Sequence, residues 1–123
     1  GEFAGRKGNK RKKIEQESEE LARNFAKKHI CILLLKGTPS IISNGKFSYW
    51  NTNGNSGMAT AGSGDVLSGI IGALLSQGIE PFEGAALGAY LHASAGDWYA
   101  KQFPKESLTA SKLLDGFRHI LPL

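Results

Sequence analysis

The chain has 123 residues, of which 41% are hydrophobic and 21% charged, with a formal net charge of +4 at pH 7. This length and composition predict at most one domain with a single hydrophobic core. They exclude a membrane-spanning helix, because the longest apolar run, residues 30–35, falls far short of the roughly 20 residues that cross a bilayer.

The positive charge is concentrated at the start of the chain, where residues 1–29 hold nine Lys or Arg and five Asp or Glu. A basic cluster such as residues 10–13 occurs in some nucleic-acid-binding segments. However, no aromatic residues alternate with it, and four glutamates follow between positions 15 and 20. We therefore expect the solvated start of a helix here, and neither a nucleic acid nor a membrane as a partner.

The single cysteine and three scattered histidines limit the chemistry of the chain. They offer no internal disulfide and no metal cluster. Because Cys31 lies within the apolar run, we expect its thiol to be packed inside a protein of the reducing cytoplasm.

Hydrophobic periodicity predicts a helix and then a strand at the start of the chain. The amphipathic helix runs from about Lys12 to His29. Its apolar face consists of Ile14, Leu21, Ala22, Phe25 and Ala26. The segment HICILLLKG (29–37) follows as a strand that is apolar on both sides, which is typical of the interior of a parallel sheet covered by helices.

A hairpin and a loop are predicted next. In SIISNGKFSYW (40–50), Asn44-Gly45 lies between two β-prone runs, which is a strong signal for a tight turn. The polar, glycine-rich segment NTNGNSG (51–57) predicts a loop.

Three further helices are predicted after this loop. The first covers residues 64–77 and is ended by Gly78. The second begins at a proline and covers residues 81 to about 101. The third covers residues 109–121, with Thr109 as its cap.

The predicted elements do not complete a sheet. Gly69 and Gly72 weaken their helix, so we expect close packing against a neighbour. The strand at 29–37 has the composition of a sheet interior, yet the sequence offers it few partner strands. Unmade ladder bonds each cost roughly 1–3 kcal/mol, so the chain is predicted to be part of a domain.

The motif Gly62-Ser63-Gly64-Asp65 comes directly before a predicted helix. Glycines at a helix start let backbone N–H groups converge, and the helix adds unpaired donors and partial positive charge, which suits a phosphate. A carboxylate beside such an anion hole is placed to take the proton of an attacking hydroxyl. The alternative is an ordinary helix cap that needs no substrate.

The stretch NSGMATAGSGDVLSG (55–69) closely resembles the nucleotide and catalytic signature of the ADP/ATP-dependent NAD(P)H-hydrate dehydratases, within the ribokinase-like superfamily. The segments LLLKGTPSIISNGK (33–46), YLHASAGD (90–97) and LTASKLLDGF (108–117) agree in order and spacing. The opening GEFAG resembles the tail of the family's threonine-proline-histidine motif.

The resemblance implies an α/β fold. Residues 1–123 would be the C-terminal half of a single ribokinase-like three-layer α/β/α domain with a mostly parallel central sheet. The N-terminal half of that domain, which supplies most strands and several contacts to the hydrated nicotinamide, is missing from the sequence. The resemblance also implies a homotetramer, and a complementary N-terminal half or chain as a partner.

The resemblance further implies a site for ADP or ATP, with Mg²⁺ accompanying the nucleotide. Its implied nucleotide-binding residues are Lys36, Gly37, Thr38, Pro39, Ser40, Asn55, Ser56, Gly57, Met58, Ala59, Thr60, Ala61, Gly62, Ser63 and Gly64. Asp65 is the implied catalytic residue, which contacts the hydrated nicotinamide and activates its ring hydroxyl. Phosphorylation of that hydroxyl and elimination of phosphate would restore NADH or NADPH, the reaction of a cytoplasmic repair lyase.

Two other functions stay open from the sequence. A ribokinase-like kinase for a vitamin precursor or sugar would use the same anion hole and base but release a stable phosphoester. A nucleotide-binding half-domain would be inactive without its partner chain. For two side chains the sequence also leaves two interpretations open. Lys36 would either contact phosphate or extend into solvent, and His92 would either be a packing residue or contact the substrate.

Overall fold

The computed structural model describes residues 2–37, 39–58, 62–113 and 116, without the side chains of residues 2–9, 11 and 56. The chain divides into two compact units, Gly1–Trp50 and Asn51–Leu123. Thr38, Ala59, Thr60 and Ala61 of the predicted site, and most of the last predicted helix, lie outside the described residues.

The first unit is built on helix α1, Glu2–His29. The predicted C-terminal end of this helix, His29, is confirmed, but the helix begins ten residues before the predicted start at Lys12. It packs against the first two strands of the sheet. Of the predicted apolar face, Ala22 and Ala26 are fully buried, whereas the three larger side chains are 45–65% exposed within this chain: Ile14, Leu21 and Phe25.

Strands β1 (Leu33–Leu35), β2 (Ser40–Ser43) and β3 (Ser48–Asn51) form one sheet in the order β1-β2-β3. β1 pairs antiparallel with β2, with Leu34 opposite Ile42. The interior position in a parallel sheet that was expected for β1 is therefore not found within the described sheet, where β1 is an edge strand. The connection between β1 and β2 has only four residues, too few for the crossover that parallel strands require.

The predicted hairpin is confirmed between β2 and β3. The turn is held by Asn44, whose Oδ1 accepts hydrogen bonds from the N–H groups of Lys46 at 2.9 Å and Phe47 at 2.7 Å. Gly45 has φ +91°, and a β-carbon there would come within 2.8 Å of the Lys27 backbone. Glycine is therefore required at this position both for its conformation and for the close approach of α1.

The second unit contains helices α2 (Ser63–Ser76) and α3 (Pro81–Gln102), close to the predicted bounds. Gly78 follows α2 with φ +85°, as a helix-ending glycine should. α3 is capped by Glu80, whose carboxylate accepts hydrogen bonds from the N–H groups of Phe82 and Glu83. The Pro81 start fits this position, because the first helical residue needs no N–H donor.

The glycines that bring α2 and α3 together differ from those predicted. At Gly69 and Gly72, nothing lies within 4 Å of an added β-carbon, so the expected close packing there is not found among the described residues. The close approaches occur at Gly84 against Leu75 and at Gly88 against Ile71. The reason is the orientation of α2, which directs Leu67 and Ile70 inward and leaves Gly69 and Gly72 exposed.

A compact core closes the second unit around Tyr99. It comprises Ala95, Tyr99, Leu108 and Leu113, with Met58, Val66 and Trp98 packed against it. Residues 110–113 are helical, and the Thr109 hydroxyl accepts a hydrogen bond from the N–H of Lys112 at 3.3 Å, which confirms the predicted cap. The Tyr99 phenol lies 2.6 Å from the Ser107 hydroxyl, and this hydrogen bond, helped by Lys112, lowers the pKa of Tyr99.

Among the described residues, no helix is both long and apolar enough to cross a membrane.

Candidate functional site

The start of α2 is the centre of the candidate site. Gly62 precedes the helix with φ +83°, a left-handed conformation that glycine adopts without penalty. The Gly62 carbonyl accepts a hydrogen bond from the Val66 N–H at 3.1 Å. The N–H groups of Ser63, Gly64 and Asp65 lie in the first turn, between Gly62 and Val66 in the chain. Donors at this place make a helix start suited to an anion.

Asp65 lies in the first turn of α2, where its side chain is exposed. The cap position is held by Gly62, and no side chain of the described residues caps the helix. Capping by Ser63 or Asp65, the alternative drawn from sequence, is therefore not what the structure shows. The carboxylate is left pointing away from the core, next to backbone donors that attract an anion.

A buried hydrogen bond ties this helix start to α3. His92 Nε2 lies 3.0 Å from the Ser63 carbonyl oxygen and 3.2 Å from the Ser63 hydroxyl oxygen. Both residues are buried, with His92 9% and Ser63 7% exposed. Of the two interpretations of His92, the structure supports the hydrogen-bonded packing histidine, and it locates the partner within the motif itself.

Three asparagines at alternate positions attach the loop that leads to the motif to α3. Each side-chain amide donates to a group of the helix: Asn51 to the Ala89 carbonyl, Asn53 to the Ser94 hydroxyl and Tyr90 carbonyl, and Asn55 to the Asp97 carboxylate. Two residues of extended chain advance roughly 6–7 Å and four residues of helix about 6 Å, so the two spacings match.

Asp97 is the strongest anchor of this loop. Its Oδ2 accepts the Gly54 N–H at 2.8 Å, and its Oδ1 accepts the Asn55 amide at 3.1 Å. Asn55 in turn accepts the Gly57 N–H at 3.0 Å, which supports the short 3₁₀ turn Ser56–Met58. Charge-assisted hydrogen bonds of this kind are stronger than neutral ones, so the carboxylate fixes the loop before any ligand binds.

Sequence reasoning assigned no role to Asp97 and did not foresee the contact between His92 and Ser63. A partial signal was present for the loop. The alternation of asparagines in NTNGN matches three successive partners along α3, which are the Ala89 carbonyl and the side chains of Ser94 and Asp97. No local pattern predicts that Ser63 meets a residue 29 positions away, because that contact depends on how α2 packs against α3.

The other predicted site residues are placed as follows. Lys36 and Gly37 are exposed in the connection between β1 and β2, where the Ser40 hydroxyl donates to the Gly37 carbonyl at 3.1 Å, and Pro39 is half-buried. These residues belong to the first unit. In the second unit, Asn55, Gly57, Met58 and Gly64 are half-buried. The loop and the start of α2 are thus both held by α3.

Within the described ranges, no three His, Cys, Asp or Glu side chains come together in a way that could hold a metal ion. The donors gathered here are backbone N–H groups, which suit the oxygens of an anion.

Sequence comparison relates this site to known proteins. The profile of the NAD(P)H-hydrate dehydratase family matches residues 1–118. The chain belongs to this family. This dehydratase-family chain is 46% identical, over 98% of its length, to the bifunctional NAD(P)H-hydrate repair enzyme Nnr of Moorella thermoacetica. It is 52% identical, over 53% of its length, to the ADP-dependent (S)-NAD(P)H-hydrate dehydratase of Neisseria meningitidis.

Solved structures match the fold of this dehydratase-family chain. The ADP/ATP-dependent NAD(P)H-hydrate dehydratase of Bacillus subtilis, co-crystallised with ATP/Mg²⁺ and soaked with CoA, matches 86% of the chain with a TM-score of 0.77 and 27% identity. A hydroxyethylthiazole kinase protein of Pyrococcus horikoshii matches 88% with a TM-score of 0.72. At 21% identity, the second match shows the fold alone. Together they confirm the predicted ribokinase-like α/β fold class.

The dehydratase-family chain is short beside these proteins. It spans 23% of the Moorella relative and 22% of the Neisseria relative. It spans 40% of the Bacillus chain and 42% of the Pyrococcus chain.

Proposed function

We propose that this chain supplies the phosphate-binding and base-bearing part of an ADP- or ATP-dependent NAD(P)H-hydrate dehydratase. The observation that carries the proposal is the start of α2. The N–H groups of Ser63, Gly64 and Asp65 lie in its first turn, and the exposed carboxylate of Asp65 lies in the same turn. The activities for which the Neisseria and Bacillus relatives are named support the same function.

The proposed nucleotide-binding residues lie in two segments of the chain. Residues 36–40 and 55–64 would line ADP or ATP, and the N–H groups of Ser63, Gly64 and Asp65 would hold its phosphates. Helix donors and partial positive charge fit a phosphate group, so the residues present suit this ligand. Mg²⁺ would enter with the nucleotide and neutralise phosphate charge.

Asp65 would act as the general base. Its carboxylate would take the proton of the ring hydroxyl of the hydrated nicotinamide as the hydroxyl oxygen forms a bond to the terminal phosphorus. The bond from phosphorus to the nucleotide oxygen breaks at the same centre. In the second step the carbon–oxygen bond breaks, phosphate leaves, and loss of a ring proton restores NADH or NADPH. Deprotonation matters because a hydroxyl is a weak nucleophile while it retains its proton.

The setting of the enzyme completes the proposal. The hydrated nicotinamide would be enclosed with the help of the N-terminal half of the family domain, and the enzyme would be a cytoplasmic homotetramer. The short span of the chain relative to its relatives supports the first part. The free thiol of Cys31, half-buried after α1, suits a reducing compartment.

The proposal is tested with Asp65→Asn in the full-length protein. We expect turnover of hydrated NADH to fall roughly 10²- to 10⁴-fold, because the general base is lost, while ADP affinity stays within about twofold, because the backbone donors remain. Glu83→Gln is the matched control, since Glu83 is an acid in the first turn of α3. Near-normal turnover of the Asp65 variant would reduce this carboxylate to a helix-start residue.

Product analysis separates the dehydratase from a kinase. With hydrated NADH and ADP or ATP, the dehydratase yields NADH and inorganic phosphate. Accumulation of a stable phosphoester from a vitamin precursor or sugar, without NADH formation, would assign the same anion hole and base to a kinase.

A further inference from the structure

The hydrogen bond between His92 and Ser63 has a defined direction. A carbonyl oxygen can only accept, so the 3.0 Å contact between His92 Nε2 and the Ser63 carbonyl oxygen is a hydrogen bond when Nε2 carries the proton and donates. In that state the Ser63 hydroxyl, 3.2 Å from the same nitrogen, cannot donate to it. The neutral tautomer with its proton on Nε2 and the cation of His92 both meet this requirement, whereas the neutral tautomer with its proton on Nδ1 does not.

The Ser63 carbonyl shares a rigid peptide unit with the Gly64 N–H. Because the peptide bond is planar and trans, the C=O and the N–H point in opposite directions, and fixing one fixes the other. A donor on the carbonyl oxygen also polarises the peptide, which strengthens its N–H as a donor. The Gly64 N–H is one of the three N–H groups in the first turn of α2 that are proposed to hold the phosphate.

We infer that His92 is a positioning residue for the nucleotide phosphate, acting from the buried side of the helix start through the Ser63–Gly64 peptide. This inference rests on the proposed function, because it assumes that the phosphate binds at the start of α2. His92 touches the peptide and not the ligand, so it is not a catalytic residue. Its burial beside Ser63 keeps water from competing for the carbonyl, and the peptide is therefore held before the nucleotide binds.

The test compares His92→Gln with His92→Met in the full-length protein. Both side chains are of similar reach, but only glutamine keeps an N–H donor near the Nε2 position. We expect His92→Met to weaken ADP affinity, measured by calorimetry, roughly 3- to 30-fold, as the loss of one buried hydrogen bond implies. His92→Gln should recover most of that affinity. In steady-state kinetics the nucleotide KM should rise in the methionine variant while kcat stays within about twofold.

Two further variants keep the test decisive. Gly88→Ala disturbs the packing of α3 on Ile71 without touching the donor, so equal losses of ADP affinity in Gly88→Ala and His92→Met would show only a packing role. If His92→Met fails to fold, His92→Asn serves instead, because its shorter side chain keeps polarity without reaching the Ser63 carbonyl. Wild-type ADP affinity in a folded His92→Asn or His92→Met protein would overturn the inference.

Gly64→Val separates this inference from the proposed function. A β-branched side chain at Gly64 should block the approach of phosphate to the backbone and abolish ADP binding. Unchanged ADP affinity in Gly64→Val would overturn the proposed phosphate site itself. Loss of binding in Gly64→Val together with wild-type affinity in the His92 variants would overturn the role of His92 alone.

Discussion

Gly88 is a residue where α3 packs closely against α2. A β-carbon at this position would lie 2.5 Å from Ile71 Cγ1, well inside contact distance. The clash is with a side chain and not with backbone, so it can be relieved by shortening Ile71. The packing of the two helices that position Ser63 and His92 therefore depends on a specific pair of residues.

Gly88→Ala is expected to destabilise the full-length protein by about 1–3 kcal/mol, the usual cost of overpacking. Ile71→Ala alone is expected to destabilise it as well, because it leaves a cavity. The double variant should lose less than the two single losses combined, because removing Ile71 Cγ1 makes room for the new methyl group. Urea unfolding of the four proteins measures this coupling. Additive losses would show that the two helices do not meet at this pair.

The element that organises the site is α3. It holds the loop 51–55 through one face, where Ala89, Ser94 and Asp97 accept from the three asparagines, and it holds the start of α2 through His92. The helix itself is stabilised by its Glu80 cap and by the burial of many small residues. A loop fixed on such a helix binds a ligand with less loss of conformational entropy.

Asp97→Asn is expected to loosen the loop that lines the proposed nucleotide site. One of the two accepting oxygens becomes an NH₂ group, which cannot accept from the Gly54 N–H or the Asn55 amide. We expect a loss of about 1–3 kcal/mol in the free energy of unfolding, faster amide exchange at Gly54, and weaker ADP binding. Asp65→Asn is the matched control, since it makes the same chemical change at an exposed carboxylate. Equal exchange at Gly54 in both variants would contradict the anchoring role of Asp97.

The elements were predictable where local rules determine them. Pro81 and Gly78 punctuate the helices, and Asn44-Gly45 marks the hairpin, so their bounds followed from the sequence. The antiparallel pairing of β1 could have been deduced from the four-residue link to β2. The partners of His92 and Asp97 could not, because they are set by the packing of elements 29 to 43 residues apart along the chain.

At the scale of the whole molecule, exposed apolar side chains remain in both units. On α1, Ile14, Leu21 and Phe25 lie seven and four residues apart, which places them on one face of the helix. Leu75 of α2 and Leu87 of α3 are each 40% exposed. Single exposed hydrophobic residues are common, but a row along one helix face is typical of surface that another part of the protein covers.

We therefore expect residues 1–123 on their own to be poorly soluble or loosely packed. Adding a chain with the N-terminal half of the family domain should restore a cooperative unfolding transition, because it would bury this apolar surface. The effect is measured by near-UV circular dichroism of Trp50 and Trp98, followed through urea unfolding. Asn24→Ser on the polar side of α1 is a control, which should change the unfolding of neither the isolated 123 residues nor their mixture with the N-terminal half. A sharp transition with fixed aromatic signals from the isolated 123 residues would show that they fold independently, and the expectation of a complementary half would then be wrong.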